Sequence, residues 1–364
     1  MYFPENVYKG RCDELVSLME LKQIDSVIIP PGPNFFYLTG METESMERLT
    51  VLIVTRKNCS ILCPKLMEDQ IIEETWVNQT QTWNDGENPY KILREIVGRP
   101  NSIYVDGNMP FFHLDYLMKT FNVTFENSDP MLNQLRFVKE ELELSLIREA
   151  TRLSEKSLKE ILNELREGIT EKQFAKRLED RFVENSLDGT AFPSIVAFGK
   201  NSAVPHHSPD NTALKRGDPI VIDYGGKLKG YSSDNTRTFI LGESNKKFET
   251  IFNSVKMANE QTREIINGET TYSEMDQTAR NIIQKDGFGK QFIHRLGHGL
   301  GISVHEPPYL IPENNSKVVT NSVFTIEPGI YIRDMGGVRI EDTNYFNGKK
   351  CVPFNSMSRE LMVL

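Results

Sequence analysis

The second half of this chain repeatedly ends an apolar, β-rich run on a carboxylate. PIVI at 219–222 is followed by Asp223, and VFTI at 323–326 is followed by Glu327. In GGVRIEDT, Glu341 alternates with Ile340, so in a strand it shares a face with Arg339. A carboxylate at the end of a buried strand needs a cation, a metal or a full set of hydrogen bonds. Asp234 lies beyond Gly225, Gly226 and Gly230, glycines that suit a hairpin bringing Asp223 and Asp234 onto neighbouring strands. Taken singly, each of these acids has an ordinary reading as a turn cap or a salt-bridge partner. Together they require a fold that compensates several charges at once.

The histidines narrow the choice. Of six, three (His294, His298 and His305) fall in HRLGHGLGISVHEPP, and His206 and His207 fall in VPHHSPDN. His113 stands apart and reads as a helix-surface or packed residue without a role. Gly297 and Gly299 flank His298 and would let the backbone come close to whatever the imidazole holds. Asp223, Asp234, Glu327 and Glu341 crowded together would repel until some became neutral. Two divalent cations remove that problem. A carboxylate-rich set with one imidazole suits Mn²⁺, Co²⁺, Fe²⁺ or Zn²⁺. Two such ions about 3.5–4 Å apart can hold a bridging water acidic enough to supply a nucleophile at neutral pH.

The pattern along the chain is α/β (α+β). In the first 130 or so residues, helix-like RCDELVSLMELKQ, NPYKILREIVG and FHLDYLMKTF alternate with strand-like DSVIIP, RLTVLIVT, CSILCP and SIYVD. That predicts a mixed sheet with helices. The turn-rich FENSDPMLNQLR marks the boundary, giving domains at 1–132 and 133–364. Amphipathic helices follow in RFVKEELELSLIREATRLSEKSLKEILNEL and in EGITEKQFAKRLEDRFVEN, the latter with Thr170 as N-cap. From Phe192, strands and glycine turns dominate, with helices near 246–267 and 272–285.

The net charge of -9 argues against general binding of nucleic acid, which needs a basic face. No apolar run approaches the ~18 residues of a membrane helix, and MYFPENVYKGRCDELVSLM carries charges where a signal peptide needs an apolar core. Cys12, Cys59, Cys63 and Cys351 are expected as free thiols of a cytoplasmic protein, packed in the core.

The ordered set Asp223, Asp234, His298, Glu327, Glu341, within VIDYGGKLKGYSSDNTRTF, GHGLGISVHEPP, TIEPGIY and GVRIEDT, resembles the metal-ligand set of the pita-bread-fold metallopeptidases. That superfamily includes prolidase, aminopeptidase P, methionine aminopeptidase and creatinase. The resemblance spans essentially the whole chain, since NFFYLTGMETES is similar to the N-terminal domain of prolidases and aminopeptidases P. It implies a pita-bread catalytic domain behind a smaller α/β domain of the creatinase type.

It also implies two divalent ions, Mn²⁺ or Co²⁺ first with Fe²⁺ or Zn²⁺ as alternatives, and a metal-bridging hydroxide that cleaves Xaa-Pro bonds of dipeptides or short peptides. Asp234 and Glu341 would bridge the ions, Asp223 would bind one bidentately, and His298 and Glu327 the other. Glu327 would also shuttle the proton. His206 and His305 would contact substrate or intermediate, His294 would join them in substrate binding, and Arg339 would support the metal site. His207 falls at a position that varies in the family. A homodimer is the family expectation.

An Xaa-Pro aminopeptidase acting on longer peptides needs the same centre. Methionine aminopeptidase does not need the VHEPP context. Creatinase loses most of the ligands, and a non-catalytic binding relative typically does too.

Overall fold

The structure, a computed structural model, describes all 364 residues. Two compact units form, Met1–Arg136 and Phe137–Leu364. The break falls later than 132/133 because the helix Asp129–Phe137 belongs almost wholly to the first unit. Met131, Leu132 and Leu135 are buried, and the Arg136 guanidinium donates to Asn34 Oδ1 at 2.9 Å.

The first unit is built on a six-stranded mixed sheet. Its strands run, in spatial order, Thr80–Trp83, Cys59–Pro64, Val51–Thr55, Ser26–Ile29, Ser102–Val105 and Thr124–Asn127. The two inner pairings of Val51–Thr55 are antiparallel, while Ser102–Val105 joins Ser26–Ile29 in parallel. The central strand SVII is buried along its whole length, which is why it reads as a continuous apolar run rather than an alternation. Leu93 and Leu117, from the helices Pro89–Val97 and Phe111–Thr120, pack with Ile28, Ile53 and Ile103. His113 is buried here, with Nδ1 against the Tyr90 hydroxyl at 2.8 Å and Nε2 facing the Met46 carbonyl. It is a packed residue. All four cysteines are free thiols.

The second unit carries two larger, mainly antiparallel sheets, each packed against a pair of helices. One sheet contains Ile195–Phe198, Pro219–Tyr224 and Asn235–Ile240, and shares a core with the helices Glu141–Ile161 and Glu171–Glu184. The other contains Glu306–Leu310, Gly297–Gly299, Val323–Ile326 and Asp342–Phe346, with the helices Lys246–Ile265 and Tyr272–Lys285 in its core. Thr170 and Thr271 each open the second helix of a pair with a reciprocal capping box, to Gln173 and Glu274. A single backbone bridge between Thr236 and Glu341 connects the two sheets, and the acids gather beside it. No helix is long and apolar enough to cross a membrane.

Candidate metal centre

The two aspartates arrive by a longer route than a simple hairpin. After Pro219–Tyr224 the chain detours through Gly226–Leu228 and Tyr231–Ser232, which pair with each other, the first of them also with Gly189–Thr190. It returns as Asn235–Ile240, antiparallel to the first strand with Thr236 opposite Asp223. Asp234, just ahead of that strand, is fixed through its own backbone: its carbonyl accepts from the Thr343 hydroxyl at 2.7 Å.

Glu327 follows Val323–Ile326, and its N–H donates to the Leu296 carbonyl at 2.9 Å. His298 is the middle residue of the strand Gly297–Gly299. Its flanking glycines serve strand packing rather than a ligand. A Cβ on Gly297 would lie 2.1 Å from the Thr325 carbonyl oxygen, and one on Gly299 2.3 Å from that of Pro307. Glu341 sits where the chain passes from Gly336–Arg339 into Asp342–Phe346, and the Thr236 hydroxyl donates to its Oε2 at 2.7 Å.

The five acids and imidazoles converge as two donor groups. Asp223, Asp234 and Glu341 present ligand atoms within 4.8 Å of one another, and so do His298, Glu327 and Glu341. The groups meet at Glu341. Asp234 also approaches the second group, with Oδ2 3.5 Å from His298 Nε2.

Such a cluster cannot stay fully ionised by itself. Burial, together with the neighbouring Glu341, Asp223 and Glu327 charges, pushes Asp234 well above the usual carboxylate range. Burial and the charges of Glu327 and Asp223 do the same to Glu341. Burial also raises Asp223, against the pull of Arg339. Glu327 goes the other way: burial pushes it up, but the hydrogen bond and charge of His298 outweigh that and hold it at about 2.

These donors fit a pair of divalent cations. Asp223 Oδ1 is buried and accepts no hydrogen bond, while Oδ2 is held by Arg339 at 2.7 Å. His298 Nδ1 lies 3.1 Å from the Gly299 carbonyl, an oxygen to which it can only donate, so Nε2 is the nitrogen turned to the carboxylates, and a cation there would take the place of its proton. A metal would satisfy both and remove the mutual repulsion.

Arg339 is fully engaged. Its guanidinium donates to Asp223, to the Thr236 hydroxyl at 3.0 Å and to the Tyr331 hydroxyl at 2.8 Å. Tyr331 in turn lies 2.9 Å from His294 Nε2, and His294 Nδ1 donates to the Arg295 carbonyl at 2.7 Å. Both nitrogens of His294 are therefore engaged, and its contribution is to the wall of the cavity. Burial lowers its pKa, which suits a neutral ring accepting from the tyrosine.

The centre lies in a cavity of about 460 Å³ lined also by Phe192, Ile195, His206, His207, Arg295 and His305. His206 and His305 are exposed to it. The His305 ring stands edge-on to His298, 4.2 Å between centroids. Burial, with the charges of His298 and Arg295, lowers His305 to about 4.

His207 is tethered. Its Nε2 lies 2.7 Å from Oε2 of Glu171, a fully buried carboxylate that also accepts from Phe198 N–H, Asn201 Nδ2 and Asp210 N–H. Glu171 thus staples the loop that carries both histidines. This staple, Tyr331, Thr236 and Arg295 were not evident from the sequence. Only Thr236 had a usable signal, its i+2 spacing from Asp234 along a strand.

Comparison with known proteins decides the family. The model of metallopeptidase family M24 matches residues 145–346, more than half of the chain. The chain belongs to metallopeptidase family M24. Residues 11–138 match the creatinase/prolidase N-terminal domain. A Xaa-Pro dipeptidase of Pyrococcus horikoshii is 30% identical over 358 residues, covering 98% of this chain and 100% of that protein. Among solved structures, a dipeptidase from the same organism has a TM-score of 0.92 at 36% identity, covering 97% of this chain and 100% of that one. A prolidase from Thermococcus sibiricus has a TM-score of 0.92 at 34% identity, covering 98% and 99%. The fold is thus the two-domain, mixed α/β arrangement of this M24 family, and the protein is a metallopeptidase whose relatives include proline-specific dipeptidases.

Proposed function

We propose that this protein hydrolyses the Xaa-Pro bond of dipeptides with two divalent cations bound. The observation that carries the reading is the pair of donor groups meeting at Glu341 inside a peptide-sized cavity. Asp223, Asp234 and Glu341 would hold one ion and His298, Glu327 and Glu341 the other, with Asp234 close to both groups. Manganese or cobalt fits the oxygen-rich set best, and iron or zinc is compatible with it. When bound, the ions would acidify water and polarise the scissile carbonyl.

The chain's own residues do the rest. Arg339 occupies Asp223 Oδ2 and so leaves Oδ1 for a cation. The Thr236 hydroxyl fixes one oxygen of Glu341. Glu327 takes a proton from the attacking water and returns it to the departing proline nitrogen, which needs one to leave as a neutral secondary amine. His206 and His305, exposed in the cavity, hydrogen-bond the substrate or the tetrahedral intermediate, and His294 shapes the wall beside them. An Xaa-Pro bond offers no N–H for strand-like binding, so it depends on this polar lining. The four free thiols suit a reducing compartment, which we take to be the cytoplasm.

Steady-state assays of the manganese- and cobalt-loaded protein on Gly-Pro, Met-Pro and Gly-Pro-Gly test this reading. Release of free proline from both dipeptides is the expected result. Loaded protein that leaves every Xaa-Pro bond intact would contradict it.

A further inference from the structure

The His305 ring does not hold itself in place. It is exposed to the cavity, stands edge-on to His298 and makes no hydrogen bond of its own. An unanchored ring can turn among staggered rotamers, so its place depends on the backbone that carries it. The next residue, Glu306, is turned the other way, into the protein. Its Oε1 lies 2.8 Å from Lys139 Nζ, and the lysine and glutamate side chains are only 1% and 6% exposed.

Both ends of this ion pair are fixed. The Ser303 N–H donates to Glu306 Oε2 at 3.4 Å, which closes the turn ahead of His305. Gly301 leaves the space: a Cβ there would lie 2.7 Å from Glu306 Oε1 and 3.0 Å from Lys139 Cε. On the other side, the Lys139 N–H donates to the Asn321 carbonyl at 3.0 Å, and Val138 bridges Ser322 just ahead of Val323–Ile326. Glu306 opens the strand Glu306–Leu310 opposite Gly299. Consecutive side chains of an extended chain leave on opposite sides, so drawing Glu306 onto Lys139 turns His305 towards the cavity.

Stability alone gives no reason for the pair. Charges this deep lose hydration that their attraction largely returns, and well-packed apolar side chains often hold a fold as well or better. What an apolar pair lacks is direction. We propose that Lys139 and Glu306 are positioning residues for His305: their buried ion pair sets the backbone that aims this imidazole at the reacting peptide, and it acts on turnover through His305. The assignment rests on the Xaa-Pro reading above.

The test measures Gly-Pro hydrolysis by manganese-loaded wild type, K139M/E306M, H305A and the protein carrying all three changes. E306D is a further variant, which keeps both charges and withdraws the anion by one methylene. Manganese content and Tm are read for each. K139M/E306M should unfold cooperatively and keep its manganese, yet lose about 10- to 100-fold in kcat/KM, the range for a lost hydrogen bond to a charged group. H305A should lose a similar amount, divided in the same way between kcat and KM. With all three changes the loss should be that of H305A alone, because the pair then has nothing to place. E306D should fall between wild type and K139M/E306M.

Losses that multiply in the combined protein, a loss in K139M/E306M that H305A lacks, or wild-type kcat/KM in K139M/E306M would overturn the assignment. Should K139M/E306M not fold, E306D carries the same comparison: its loss must vanish in the H305A background, and an E306D protein as active as wild type overturns the assignment. Loaded wild type that leaves Gly-Pro intact overturns the Xaa-Pro reading itself, and this assignment with it.

Discussion

Replacing Asp234 with alanine is expected to reduce kcat/KM on Gly-Pro by more than about 1000-fold, because loss of a mere outer partner of a metal ligand already costs 10- to 100-fold. The same variant should behave unusually in stability. In the metal-free protein Asp234 is a buried carboxyl pushed up by burial and by Glu341, Asp223 and Glu327. A group whose folded pKa is raised favours the native state only at pH values below its unfolded pKa, and that contribution is lost as pH rises. Removing it should therefore leave the metal-free Tm at neutral pH unchanged or higher. Wild type should gain stability on adding manganese, by about 2.7 kcal/mol at 100 times Kd, and D234A should gain far less. Scanning calorimetry with and without manganese reads both effects. A D234A protein that is stabilised by metal as strongly as wild type and turns over normally would remove Asp234 from the centre.

The second large effect falls on Asp342, next to the proposed ligand Glu341 but turned away from the cavity. Its carboxylate is fully buried and held by three arginines: Arg237 at 2.8 Å, Arg263 at 2.9 Å and Arg359 at 2.5 Å. Arg237 also donates to the Glu341 carbonyl at 2.6 Å. The cluster therefore sets the backbone of the ligand as well as neutralising buried charge. Burial pushes Asp342 up, but Arg237, Arg359 and Arg263 more than offset this and hold it at about 2.

The substitution D342N leaves buried guanidinium charge uncompensated and should cost about 3–5 kcal/mol. Because the folded pKa is depressed, the carboxylate's contribution is present above the unfolded value of 3.8 and is lost as pH falls through about 2. The stability gap between wild type and D342N, from denaturant midpoints, should accordingly be widest near neutral pH and narrow below pH 4. A gap that stays constant down to pH 3, or one smaller than about 1 kcal/mol at pH 7, would show that the arginines find other partners.

Much of the centre was legible in the sequence because a charge ending an apolar strand is a contradiction visible locally. Asp223 and Glu327 show it directly, and strand alternation put Arg339 and Glu341 on one face, where Thr236 now joins them. The helices of the second unit were legible from their period and from Thr170, whose cap formed as expected.

What escaped was tertiary. Glu171 and His207 lie 36 residues apart, and neither looks unusual alone. The strands Thr80–Trp83 and Thr124–Asn127 are the two edges of their sheet, too exposed and polar to show an apolar run. The short helix Pro33–Thr39 is buried nearly all round and so carries no amphipathic stripe.

The central claim is that five side chains distant in sequence hold two cations. Anomalous diffraction from crystals of the full chain grown with manganese tests it directly. The account predicts two peaks, one among Asp223, Asp234 and Glu341 and the other among His298, Glu327 and Glu341. An absence of peaks there, with manganese found only at the separate Glu171, His207 and Asp210 group, would contradict it.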